Sequence, residues 1–239
     1  MRPDADGVAR AAARYVAACG RRAAAERGRF TVAFSGGSTP AGMLAALVAE
    51  DLPWHCMHVL QVDERAAPRG SAERNLTQLE DALLGTTPLT RDAVHAMPVE
   101  ATDLESAASD YARSLGELAG TPPVLDLVHL GLGDDGHTAS LVPGDAVLDV
   151  GDRDVAATAA YRGHRRMTLT LPLINRARAR LWLATGAGKA DMLARLMAGD
   201  AGIPAGRVSA ENAVVFADAA AAARSCKLNR HNRSRKGAC

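Results

Sequence analysis

The stretch Gly131–Gly144, GLGDDGHTASLVPG, packs two carboxylates (Asp134, Asp135), an imidazole (His137), two hydroxyls (Thr138, Ser140) and four glycines into one loop. It follows VLDLVHL (Val124–Leu130), an apolar run short enough for a buried strand. A strand emptying into such a loop builds a site. The plain alternative is a solvated Gly/Asp turn with an incidental histidine. A second loop, SGGSTP (Ser35–Pro40), has the make-up of an anion cradle. Gly36 and Gly37 permit close backbone approach, N–H groups at a helix start face a bound phosphate, and Ser38 and Thr39 add hydroxyl donors. In GAGK (Gly186–Lys189), Lys189 stands at a helix start, where the helix dipole disfavours a cation unless an anionic ligand offsets it. DER (Asp63–Arg65) adds charges of both signs at the end of another apolar run.

The elements that must position these loops alternate. Strands are expected at Phe30–Phe34, Met57–Val62, Ala93–Pro98, Val124–Leu130, Asp154–Ala159, Met167–Leu171, Ala179–Thr185 and Ala213–Ala217. Helices are expected at Val8–Arg27, with an interruption at Gly20, and then from Pro40 to Glu50, at Leu76–Leu84, Asp103–Leu118, Pro172–Ala177, Ala190–Ala198 and Asp218–Arg224. This order predicts an α/β fold, a doubly wound, largely parallel sheet with helices on both faces. SGGSTP, DER, GLGDDGH and TGAGK each begin where an expected strand ends. In a parallel sheet those ends share one edge, so the four loops meet in the crevice there. Arg166, ahead of MTLTL, falls at the wrong end of its strand for that crevice unless the strand is reversed or its loop folds back.

The 239 residues suffice for a substantial core, at 48% hydrophobic and 23% charged, with aromatics at only 3%, so Ala, Val and Leu must fill it. No apolar run approaches the ~20 residues of a membrane span, and the N-terminus carries Asp4 and Asp6 rather than an apolar leader. Cys19, Cys56, Cys226 and Cys239 are widely spaced, which reads as reduced thiols in a cytoplasmic protein. Five of the 28 Lys and Arg residues lie in the acid-free tail Ser225–Cys239, leaving 23 against 27 acids in the body. A mildly acidic body argues against nucleic acid as ligand, and the basic tail is expected to be disordered. Residues 1–224 form the expected single domain.

Three familiar motifs fail on inspection. Gly131-x-Gly133-x-x-Gly136 resembles a dinucleotide fingerprint, but Asp134 and Asp135 would face the pyrophosphate. GAGK has Leu183 and Ala190 where a Walker loop needs Gly and Ser or Thr. In AFSGG, Ala33 replaces the first Gly of a nucleophile elbow, although Ser35, Asp63 and His137 fall in hydrolase chain order, so a serine hydrolase stays open. His55 and His58 lack a carboxylate pattern for a metal.

Taken together, FSGGSTP at 34–40, VDER at 62–65, GLGDDGHTASLVPG at 131–144, RMTLTLPLIN at 166–175 and GAGK at 186–189 resemble the 6-phosphogluconolactonase family in order and spacing. The resemblance spans about Phe30 to Asp218. Val142 stands where Phe is usual, and AERN at 72–75 where a Ser-Asn pair is common. The related glucosamine-6-phosphate deaminases typically read DEY and GHIAFNEP, and their Glu that supports the histidine is absent here. Non-catalytic sugar-phosphate sensors are a third relation. The resemblance implies hydrolysis of 6-phospho-D-glucono-1,5-lactone to 6-phosphogluconate, with no metal or organic cofactor. It implies His137 as general base, Asp135 as its orienting carboxylate, Arg65 at oxyanion or phosphate, and Asp63 positioning Arg65 or sugar hydroxyls. Gly36, Gly37, Ser38, Thr39, Arg166 and Lys189 are the implied phosphate grip. The oligomeric state stays open.

Overall fold

The computed structural model describes residues 1–225. The chain opens with helix α1 (Ala5–Arg27), capped by Asp4, whose carboxylate accepts the Gly7 N–H. α1 runs unbroken through Gly20, contrary to the expected interruption. A Cβ there would sit 3.0–3.2 Å from Leu52 and Phe30, so Gly20 serves close helix–strand packing rather than a break. Strand β1 (Phe30–Phe34) leads into α2 (Ser38–Leu47), and β2 (Met57–Gln61) is followed at once by β3 (Asp63–Arg65). α3 (Asn75–Leu83), the two-residue β4 (Val94–His95) and α4 (Leu104–Ala119) precede β5 (Leu127–Gly131). β6 (Val155–Ala157), β7 (Arg166–Leu169), α5 (Leu171–Arg176), β8 (Arg180–Ala184), α6 (Ala190–Met197) and β9 (Ala213–Ala217) complete the described chain. The expected closing helix at Asp218–Arg224 is a single 3-10 turn, Ala221–Ala223. Most of the basic tail lies outside the described residues.

Six strands form one sheet in the order β4-β2-β1-β5-β8-β9, every neighbouring pair parallel. Alternate residues of its central strands feed opposite faces. Phe30, Val32 and Phe34 join a core with α1, α2 and α3, while Ala33, Val128, Leu130 and Trp182 join a second core with α4, α5 and α6. Burial on both faces is why these strands are apolar runs rather than alternations.

β3, β7 and β6 form a separate three-stranded antiparallel sheet, order β3-β7-β6. DER is therefore a strand, not a loop, and the two segments expected as further strands of the main sheet belong here. The register pairs Arg65 with Arg166 and Asp63 with Thr168. Because β7 runs against β3, its first residue, Arg166, lies beside the end of DER. That reversal brings Arg166 to the crevice. No helix among the described residues is long and apolar enough to cross a membrane.

Candidate active site

β1, β2, β5 and β8 are mutually parallel, so the loops leaving their C-terminal ends converge. They enclose a cleft of about 360 Å³. Gly36, Gly37, Ser38, Thr39, Asp63, Arg65, His137, Arg166 and Lys189 all line it. Of the residues given a catalytic or phosphate-binding role from the sequence, Asp135 alone does not. It stands behind His137.

The histidine loop closes on itself through Gly133 N–H to His137 C=O (2.8 Å) and Gly136 N–H to Gly133 C=O (3.1 Å). A Cβ on Gly133 would lie 2.1 Å from His137 Nδ1, so only glycine lets the imidazole lie against the backbone. Asp135 Oδ1 accepts from both the backbone N–H of His137 (3.0 Å) and its ring Nδ1 (2.5 Å). With Nδ1–H donating to the carboxylate, the lone pair resides on Nε2, which is left for the cleft. Partial burial works to raise the Asp135 carboxyl, but the His137 backbone and ring and the Tyr161 hydroxyl outweigh it and hold the group down to about 2. Asp135 is thus ionised at neutral pH.

Period-2 alternation divides the work of DER. Asp63 and Arg65 face the cleft. Glu64 points the other way, fully buried, and its carboxylate accepts from Gln61 Nε2 (2.5 Å) and the N–H groups of Arg65 (2.8 Å), Asn75 (2.9 Å) and Leu76 (2.9 Å), and pairs with Arg74 (3.0 Å). This hub ties β3 to the start of α3. Asn75 in turn donates from Nδ2 to Asp63 C=O (2.8 Å). Asp63 accepts from Ser140 Oγ (2.6 Å) and lies 3.9 Å from Arg166. Burial pushes its carboxyl up, against Ser140, Arg166 and Arg65.

No side chain caps the N-terminus of α2, which begins at Ser38 with Gly37 (φ 117°) before it. The N–H groups of its first turn are therefore open to a ligand. Gly37 N–H is not among them, since it donates to Gln78 Oε1 (3.0 Å). Thr39 Oγ1 meets Thr185 Oγ1 at 3.0 Å across the cleft. Lys189 stands at the N-cap position of α6 without a capping bond from its side chain, and its ammonium pairs with Asp134, 2.5 Å away. Arg65 and Arg166 each keep a buried Nε without a partner among the described residues.

The hydrolase triad fails on geometry. Ser35 Oγ donates to His129 C=O (2.9 Å), Asp63 is held by Ser140, and the carboxylate on His137 is Asp135. His58 is occupied with His95 (3.0 Å), and among the described residues no group of three or more ligating side chains is placed for a metal. Three further site residues carried little sequence signal. Tyr161 and Arg162 sit in an ordinary-looking polar stretch. His129 is a fully buried imidazole in β5 whose Nδ1 accepts from Ser35 N–H (3.3 Å), and burial lowers it to about 3.

The model of the glucosamine-6-phosphate isomerases/6-phosphogluconolactonase family matches residues 3–216. The chain belongs to that family. A 6-phosphogluconolactonase of Synechocystis is 41% identical over 184 residues, covering 75% of this chain and 76% of the relative. One of Mycobacterium bovis is 37% identical over 237 residues, covering 93% of this chain and 96% of the relative. The structure of 6-phosphogluconolactonase from Trypanosoma brucei superposes with a TM-score of 0.80 at 25% identity, covering 93% of this chain and 96% of that one. Within the family, the loop after His137 reads TASLVPG, with Pro143 and Gly144 following Val142. It supplies no Glu to support the histidine.

Proposed function

We propose that this protein hydrolyses 6-phospho-D-glucono-1,5-lactone to 6-phosphogluconate, by water activated on His137. The observation that carries the mechanism is the Asp135–His137 pair, with Nε2 left for a cleft that Arg65, Arg162, Arg166 and Lys189 also line. Relatives named for the same activity, matched over 76% and 96% of their own lengths, support the reaction class.

Nε2 takes a proton from water as its oxygen bonds to the lactone carbonyl carbon. The ionised Asp135 stabilises the resulting imidazolium. Negative charge collects on the carbonyl oxygen, where a cleft cation offsets it. The carbon–ring-oxygen bond then breaks, and the imidazolium returns its proton to the departing ring oxygen. Water and lactone are consumed one for one, and the histidine is regenerated.

The phosphate, at the other end of the substrate, meets the open N–H groups of α2, the Ser38 and Thr39 hydroxyls, Arg166 and Lys189. Lys189 exchanges Asp134 for the phosphate when substrate arrives. Arg65, tethered by Nη1 to Glu73 C=O (2.6 Å) yet with its Nε unpartnered, faces the carbonyl or the phosphate, and Asp63 holds the sugar hydroxyls together with Ser140. Residues 1–224 act as one unit, in the cytoplasm, where the unpaired thiols of Cys19 and Cys56 stay reduced.

The test is a substrate comparison. Freshly made phospholactone, followed by base uptake at constant pH, is expected to turn over far above its spontaneous rate. Glucosamine 6-phosphate, followed by ammonia release, is expected to be inert. Turnover of the amino sugar alone would overturn the reading, and binding of either without turnover would favour a sensor.

A further inference from the structure

Residues 161–164 form a tight turn between β6 and β7. Tyr161 N–H donates to His164 C=O (2.9 Å), His164 N–H donates back (3.3 Å), and the central Arg162 and Gly163 lie at φ 50° and 87°. Two successive left-handed residues make the hairpin turn that matches strand twist. Arg162 is not glycine, so the turn holds a backbone that non-glycine residues adopt only under constraint. Such constrained turns cluster where a side chain must be aimed.

Tyr161 is aimed at three members of the site. Its hydroxyl donates to Asp135 Oδ2 (3.0 Å), the carboxylate oxygen that His137 does not use. Its ring meets the His137 ring edge-on, with centroids 5.6 Å apart. The Arg166 guanidinium lies 5.1 Å over the same ring, and Arg166 Nη2 donates to Tyr161 C=O (3.3 Å). The terminal torsion of an Asp carboxylate is a broad, two-fold rotor, and at Oδ1 it is restrained here by the His137 donors alone. The Tyr161 hydroxyl on Oδ2 restrains the same torsion from outside that pair.

Building on the reading of His137 as the base, we propose that Tyr161 is a positioning residue whose hydroxyl fixes the Asp135 carboxylate against the imidazole and whose ring seats Arg166 in the cleft. The phenol is suited to donate at any working pH, because burial and then Asp135 push it above its ordinary value.

Tyr161→Phe keeps the ring and removes the hydroxyl. The expected result is a kcat about tenfold lower, the size of one lost hydrogen bond, with KM within twofold because the ring still faces Arg166. The His137 Nδ1 proton, followed by imidazole NMR in the ligand-free protein, is expected to exchange faster with water, because its carboxylate acceptor is less firmly held. Tyr161→Ala, which also removes the ring, is expected to raise KM in addition. A Phe variant with an unchanged Nδ1 proton exchange rate, or with kcat within twofold of wild type, would overturn the proposal. The exchange measurement needs no substrate, so a wild-type protein inert towards the lactone would remove the proposed reaction while leaving this test of Tyr161 standing.

Discussion

Gly133→Ala probes the base without touching any group that reacts. The backbone at Gly133 is not left-handed, so alanine fits it conformationally. The obstacle is space. The new Cβ would lie 2.1 Å from His137 Nδ1, 2.3 Å from Cε1 and 2.7 Å from Cγ. Ordinary contact begins at 3.4 Å, so the ring must retreat by about 1.3 Å, the difference between 3.4 and 2.1. The Asp135–Nδ1 bond is 2.5 Å long, and a retreat of that size along it leaves about 3.8 Å, too long for a hydrogen bond. The His137 side chain is 20% exposed and can swing outwards, so the fold absorbs the change at less than the ~1–3 kcal/mol of an overpacked core. A misplacement of about 1 Å at a catalytic group costs on the order of 10²-fold. We therefore expect kcat on fresh phospholactone to fall about 10²-fold, while phosphogluconate still binds and the urea midpoint barely moves. The matched change Gly151→Ala, whose Cβ would meet nothing within 4 Å, is expected to leave kcat as it is. A Gly133→Ala protein with kcat within threefold of wild type (about 0.7 kcal/mol) would refute the claim that ring placement limits the reaction.

Lys189→Ala is expected to raise KM with kcat little changed. Asp134→Asn, which frees the lysine, is expected to lower KM by at most about fivefold, the range of an exposed ion pair; initial rates against substrate concentration read both, and an unchanged KM in Lys189→Ala would remove the lysine from the phosphate grip. His129 gives a stability prediction. Its folded value of about 3 lies below the unfolded ~6.5, so the unfolded chain binds a proton between those values that the folded chain does not. The contribution is complete above pH ~6.5 and is lost as pH falls towards 3, by up to about 1.4 kcal/mol per pH unit. Urea melts followed by tryptophan fluorescence should show wild type losing stability faster than His129→Leu from pH 6.5 to 4. Parallel losses would contradict the assignment.

The parallel sheet was legible because each strand buried on both faces is a short apolar run ending in Gly or polar residues. The meeting of SGGSTP, the histidine loop and GAGK followed from one property of parallel sheets. The second sheet was hidden because β3, β6 and β7 have only three or four residues each, too few for a period to show. Arg166 looked misplaced for the same reason, since strand direction is a tertiary fact. Glu64 had no assigned role in the sequence, yet its five partners, spread from Gln61 to Leu76, make it the buried tie that aims its neighbours. Lys189 read as a cation awaiting an anion. Its resting partner, Asp134, is 55 residues away in sequence. Tyr161 had no signal of its own, because its importance lies in the turn that points it at Asp135.

The central claim is that His137, held by Asp135, is the base of a phospholactone hydrolysis. The most direct measurement is base uptake by His137→Ala on freshly made phospholactone, set beside calorimetric binding of phosphogluconate. The account predicts a kcat at least ~10²-fold below wild type with product affinity retained. A His137→Ala protein turning over at near the wild-type rate would contradict it.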